Sequence, residues 1–85
     1  MKLPVIKHIN SFVKENDIDF VWEAVAVLEH LTESTAIKDE ELDVLGEVIS
    51  NMYGVIEVNK LMKTGKTEKE ALNEFMKRVV GAIDK

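Results

Sequence analysis

The sequence predicts an all-α fold, a small four-helix bundle with a long central third helix, and three observations indicate it. Apolar residues recur at steps of three and four along four separate segments, as on the buried face of an amphipathic helix. Short polar or glycine-containing breaks separate these segments. The third segment carries two neighbouring apolar stripes, and a helix with so much apolar surface needs packing partners on several sides. We expect a single helical domain over residues 1–85.

Helix one is predicted from about residue 4 to residue 15. Pro4 suits a first helical position, where its missing N–H costs nothing. One apolar stripe follows it, made of Val5, Ile6, Ile9, Phe12 and Val13. The polar segment at 15–19 then breaks the pattern, and Asp17 or Asp19 is expected to cap the next helix.

Helix two is predicted from about Ile18 to Leu31. Its start, Phe20-Val21-Trp22, would also fit a strand, but the length of the segment and its 3.6-residue recurrence favour a helix. Its apolar arc is wide, since Trp22 and Val27 lie beside the main stripe. The segment from Thr32 to Ala36 is expected to form a loop, because its hydroxyl side chains compete for backbone hydrogen bonds.

Helix three is predicted from Asp39 to Lys63, with Asp39 as its N-cap. Gly46 and Gly54 lie inside it, and each costs about 1 kcal/mol relative to Ala. The two glycines indicate close helix approach. A kink near Gly54, giving two shorter helices, is the alternative.

The break between helices three and four has clear signals. Gly65 suits the left-handed position after a helix end. Thr67 and Glu70 have the spacing of a capping box, which opens helix four. An apolar stripe then continues to the C-terminus, made of Ala71, Leu72, Phe75, Met76, Val79, Val80 and Ile83.

Composition favours a protein of reducing compartments. The chain has no cysteine, which excludes disulfides and thiolate chemistry. No export signal is visible, and the longest apolar run is far shorter than the roughly 20 residues of a membrane span. We therefore expect a soluble cytoplasmic protein that does not bind membranes.

The net charge of −5 is unevenly distributed. Residues 15–57 hold twelve acidic residues against Lys38 alone, whereas residues 1–14 and 58–85 each have a net charge of +3. Such segregation suits terminal helices packed near an acidic middle, or a dimer whose basic ends meet the acidic face of the partner. Solvated surface charge is the alternative explanation.

No motif indicates catalysis, a cofactor or a metal. Gly65-Lys66-Thr67 ends like a phosphate-binding loop, but position 60 is Lys where that motif needs glycine. Neither His8 nor His30 belongs to a metal-binding pair of histidines. With one arginine and an acidic chain, nucleic-acid binding is poorly supported. We predict a protein that is not an enzyme and has no cofactor.

The broad apolar arcs of helices two and three predict homodimerisation, because four short helices have limited interior. Aromatic and methionine side chains are favoured at association surfaces. The predicted interface consists of Trp22, Leu45, Ile49, Met52, Tyr53 and Ile56. A monomeric bundle is the alternative.

The first functional hypothesis is a non-enzymatic protein–protein interaction module that presents an acidic or apolar groove to another protein. A second functional hypothesis is a regulatory protein that binds a ligand or metal in a pocket between helices. Its candidate residues are His30, Glu33 and Tyr53, which would have to converge in space. A third hypothesis is a DNA-associated regulator that uses helix four for recognition.

Three segments resemble a family of small uncharacterised cytoplasmic proteins from Bacteroidetes bacteria: LEHLTE (28–33), KDEELDVLGEVISNMYG (38–54) and EALNEFMKRVVGAIDK (70–85). The resemblance covers almost the whole chain and brings no catalytic residue with it. It implies an accessory role beside thiol-redox proteins. A chain without cysteine would serve there only as a binding partner.

Overall fold

A computed structural model of the chain describes residues 2–83, with side chains described for residues 2–79. It has four helices: α1 (Leu3–Glu15), α2 (Asp19–Leu31), α3 (Asp39–Lys63) and α4 (Glu68–Ile83). The predicted all-α fold with a long third helix is confirmed, and the predicted bounds of the first three helices and the start of the fourth agree within one residue. The predicted continuation of the fourth helix to the C-terminus reaches residues 84 and 85, which lie outside the described residues. None of the described helices combines the length and apolar character needed to cross a membrane.

α3 is the centre of the molecule, because each of the other three helices packs on it. The buried core residues of α3 all lie in its second half: Val55, Ile56, Val58 and Leu61. The other helices bury smaller sets against them: Ile6, Val13, Val21, Val25, Ala71, Leu72 and Phe75. Met76 and Val79 pack at the edge of this core, whereas Val80 and Ile83 lie outside the described side chains.

The first half of α3 is poorly covered. None of residues 39–50 is buried, and Val44 is 63% exposed. The expectation that neighbours wrap the whole helix is wrong for this half. The reason is length: α3 has 25 residues and spans about 37 Å, whereas α1 and α2 have 13 residues and span about 20 Å each.

α3 runs without a break through both glycines, so the alternative of two shorter helices is excluded. Gly54 is buried, in agreement with the predicted close packing. Gly46 is exposed, and a Cβ atom placed there would meet no described atom within 4 Å. The predicted close approach is therefore wrong at Gly46, because this position lies in the uncovered half of the helix.

The helix ends confirm one predicted cap and correct another. Thr67 and Glu70 form the capping box: the Glu70 N–H donates to Thr67 Oγ1 at 3.2 Å, and the Thr67 N–H donates to Glu70 Oε1 at 2.9 Å. Asp39 does not cap α3, because it is already the first helical residue. Instead, the Lys38 N–H donates to Glu41 Oε1 at 2.9 Å.

The N-cap of α2 is Ile18, so neither Asp17 nor Asp19 holds the cap position predicted for it. Asp17 still accepts a hydrogen bond from the N–H of Asp19, the first residue of α2, at 3.0 Å, and so orders the turn before the helix. Gly65 has a φ angle of 105°, which confirms the left-handed conformation predicted for the end of α3. The short connection at 64–67 then returns the chain along α3 as α4.

The molecule is flat and extended for its size. Its dimensions are 43 × 35 × 18 Å, and its radius of gyration is 13.8 Å. A compact domain of this length is expected to have a radius of gyration of about 12 Å. The difference follows from the half of α3 that extends beyond the core.

Candidate functional site

Five of the exposed large apolar side chains of α2 and α3 form a surface that we call the apolar face: Phe20, Val27, Leu31, Val44 and Val48. Their exposed fractions run from 37% to 68%. On α2 the spacing is i, i+7 and i+11, and on α3 it is i and i+4, so each set lies along one side of its helix. Exposed apolar residues that are contiguous mark interaction sites more often than scattered ones do.

A groove joins the two parts of the apolar face. It lies between the end of α2 and the start of α3 and has a volume of about 460 Å³. Apolar side chains of Leu31, Ile37, Val44 and Leu45 line it, together with the carboxylate-bearing residues Glu40 and Glu41. The groove exists because the chain turns back at residues 32–38 without a third helix to cover the junction.

The apolar face continues onto α1 through an aromatic pair. The rings of Phe12 and Phe20 pack edge to face, with centroids 5.7 Å apart and an angle of 88° between their planes. Both residues remain about half exposed, at 47% and 54%. The pair therefore orders two aromatic side chains at the surface without burying them.

The edge of the groove is acidic. Glu41 also accepts the hydrogen bond of the Lys38 N–H, whereas Glu40 and Asp43 make no ion pair with any described residue. Glu40 belongs to the first turn of α3, where a carboxylate favours the positive end of the helix dipole. An apolar floor with an acidic edge suits a partner surface that presents apolar and basic side chains together.

The residues of the predicted interface do not share one exposed surface. Ile56 is 2% exposed and belongs to the core, so it is not available to a partner. Leu45, Ile49 and Met52 are half-buried. Trp22 is the exposed member on α2, at 45%. It lies on a different side of that helix from Val27.

Tyr53 connects α2 and α3. Its hydroxyl donates a hydrogen bond to Glu29 Oε2 at 2.8 Å. The bond to the carboxylate raises the pKa of Tyr53, because an ionised phenol would face a negative charge there. Trp22 lies seven residues before Glu29, on the same side of α2. This side is distinct from the apolar face.

The three pocket candidates are only partly brought together. His30 Nδ1 lies 3.9 Å from Glu33 Oε2, and both side chains are largely exposed, at 89% and 75%. Tyr53 contacts Glu29 instead of either one. None of the three lines the groove between α2 and α3. Among the described residues, no group of three or more His, Cys, Asp or Glu side chains is arranged to hold a metal ion.

A polar cluster between α1 and α4 was not predicted from the sequence. Asn10 is 1% exposed, and its side-chain amide donates to Glu68, which also pairs with Lys14 at 3.0 Å. The ion pair with Lys14 and the bond from Asn10 lower the pKa of Glu68. A smaller groove of about 240 Å³ opens beside Glu68. The sequence feature that could have indicated this cluster is Asn10, a polar residue on the apolar side of helix one.

A second buried asparagine fixes the start of α1. Asn51 is 3% exposed; its Oδ1 accepts the Lys2 backbone N–H at 2.7 Å, and its Nδ2 donates to the Glu47 carbonyl at 2.9 Å. The bond to Lys2 joins residues 49 positions apart in the chain. Asn51 therefore has a structural role.

Comparison with known proteins identifies a family. The chain matches the family described as "Family of unknown function (DUF6952)" over residues 1–84. No curated protein and no protein of solved structure shows a significant match. Since the match covers nearly the whole chain, the protein belongs to DUF6952, a family of unknown function.

Proposed function

We propose that this chain is a non-enzymatic protein–protein interaction module that works in the cytoplasm as a homodimer, with the apolar face as the contact between the two copies. The observation that carries the proposal is the apolar face itself. Its members are ordered on two helices, exposed by 37–68%, and joined by a groove with an apolar floor. No described motif offers a competing chemical use for this surface.

The amount of exposed surface supports a second copy as the partner. The chain exposes 5945 Å². A monomeric protein of its 9.6 kDa mass is expected to expose about 5,100 Å². The surplus of about 850 Å² is close to the roughly 800 Å² that each partner buries in a stable complex of standard size. Self-association would therefore bring the exposed surface of each copy to an ordinary value.

The test is the mass in solution, measured by light scattering behind a sizing column over about a hundredfold range of concentration. We expect the wild type to be a dimer and Val27→Glu to be a monomer, because a carboxylate at the centre of the contact would be desolvated. Val27 is 68% exposed within one copy, so the substitution should leave the fold intact.

Ala26→Glu is the matched control. Ala26 is also exposed and adjoins Val27, but it points about 100° away around α2. It adds the same charge to the same helix outside the apolar face. A dimeric Ala26→Glu beside a monomeric Val27→Glu supports the proposal, whereas a monomeric wild type over the whole concentration range would refute it.

The thiol-redox link is a second, finer part of this proposal. With no cysteine, the chain would act on such a partner by binding alone. Titration of a purified thioredoxin-like protein with the wild-type chain tests it. Saturable binding supports the link, and no binding contradicts it.

A further inference from the structure

We infer that the two copies lie antiparallel, so that the acidic start of α3 in each copy contacts the basic end of the other. This inference rests on the proposed self-association and adds the arrangement of the copies. We define the acidic end by Glu40 and Asp43 and the basic end by Lys63 and Lys69. These four residues are all exposed, and none forms an ion pair with a described residue.

The two ends are far apart within one copy. Residues 39 and 63 bound a continuous helix of 25 residues, which spans about 37 Å. At physiological salt the Debye length is about 8 Å, so the charges at the two ends do not neutralise each other within one copy. Each end therefore keeps its own field, which a partner of opposite sign would complement.

Other lysines close to the basic end are already paired. Lys60 lies 3.5 Å from Glu57, and Lys66 lies 3.1 Å from Glu74. Lys63 and Lys69 form no ion pair with a described carboxylate; Lys63 is the last residue of α3, and Lys69 lies in the first turn of α4. The segregation of charge along the sequence therefore persists in the described part of the molecule as unpaired side chains of opposite sign at the two ends of α3.

The acidic end also holds the groove. A contact between the acidic ends of two copies would place like charges around the same apolar floor, at Glu40 and Glu41, which is unfavourable. An antiparallel contact places the basic end of the partner there instead. The stems of lysine side chains cover apolar surface while their ammonium groups reach carboxylates at the edge. Two-fold symmetry then repeats the same contact at the other end of the pair.

Charge-reversed variants test this arrangement. Glu40→Lys with Asp43→Lys makes both ends basic, and Lys63→Glu with Lys69→Glu makes both ends acidic; the net charges become −1 and −9 from −5. Glu41 is left unchanged because it accepts the Lys38 N–H. For each variant alone, we expect the dissociation constant of the dimer to be at least about tenfold higher than that of the wild type. An equimolar mixture of the two variants should restore dimers.

Failure of the antiparallel arrangement and failure of self-association would give different results. If the wild type is dimeric but the variant with two acidic ends dimerises as strongly as the wild type, the antiparallel arrangement is wrong and self-association stands. A mixture that restores no dimers also contradicts the antiparallel arrangement, provided that the circular dichroism of each variant shows an intact fold. If the wild type is monomeric, the proposed function fails first. Raising the salt concentration provides an independent check: the antiparallel dimer should weaken, whereas a contact between like ends should strengthen.

Discussion

At the scale of single residues, the informative positions are polar groups that the fold has buried. Asn10 lies inside the contact between α1 and α4, where its amide donates to Glu68, while its Oδ1 atom has no described hydrogen-bond partner. Leaving a buried polar atom unpaired costs free energy. The bond to Glu68 and the ion pair of Glu68 with Lys14 offset that cost.

This cluster makes stability depend on pH. The folded state lowers the pKa of Glu68, so folding favours the ionised carboxylate. The stabilisation is fully present above the pKa of Glu68 in the unfolded chain and is lost as pH falls through its pKa in the folded state. We expect Glu68→Gln to reduce the loss of unfolding free energy over this acidic range, as measured by urea unfolding at a series of pH values.

Glu23→Gln is the control for this measurement, because it removes the same charge from an exposed position of α2. Its unfolding free energy should fall with decreasing pH as steeply as that of the wild type. If the unfolding free energies of Glu68→Gln and the wild type fell equally steeply, the cluster would contribute nothing to acid sensitivity.

At the scale of elements, α3 joins two different environments in one helix. Several residues of its second half are buried, whereas none of residues 39–50 is, and the groove beside the end of α2 opens on this first half. The helix nevertheless continues through Gly46 in the open half. Glycine there costs backbone entropy without gaining any packing in return.

Replacing Gly46 by Ala should therefore stabilise the protein by about 1 kcal/mol. A Cβ atom at this position meets no described atom within 4 Å, so no clash opposes the gain. Chemical unfolding measures the difference. Gly65→Ala is the contrasting variant: its φ angle of 105° strains any residue with a Cβ, so it should destabilise by about 1 kcal/mol or more. Unchanged or lower stability in Gly46→Ala would show that a partner packs on this position.

At the scale of the whole molecule, the flat shape and the surplus of exposed surface have the same origin. Three shorter helices pack on one long helix, and the half that they leave open carries the groove and part of the apolar face. A small domain gains limited stability from its own core. Burial against a second copy would add to it.

Thermal stability should therefore depend on protein concentration. Binding that occurs only in the folded state stabilises it by mass action, so a hundredfold rise in concentration should raise Tm by about 5–10 °C for a dimer that dissociates only when it unfolds. Val27→Glu should show no such dependence, which calorimetry at several concentrations would measure. A constant Tm for the wild type would speak against a dimer that persists up to Tm.

The sequence by itself determined the fold class, the helix boundaries and the turn between α3 and α4. These features depend on local chemistry: the apolar recurrence of each segment, the left-handed glycine at Gly65 and the capping box at Thr67 and Glu70. Each can be recognised within about ten residues of chain, because helix ends and stripes are short-range properties.

The tertiary structure alone decided which apolar residues are buried and which form a surface. In the sequence, Val44 and Val58 belong to the same apolar stripe of helix three, yet Val58 is fully buried and Val44 is 63% exposed. The difference depends on how far α1, α2 and α4 reach along α3, which no local pattern encodes. The predicted interface therefore included a core residue, and the apolar face had to be found from the packing of helices distant in sequence.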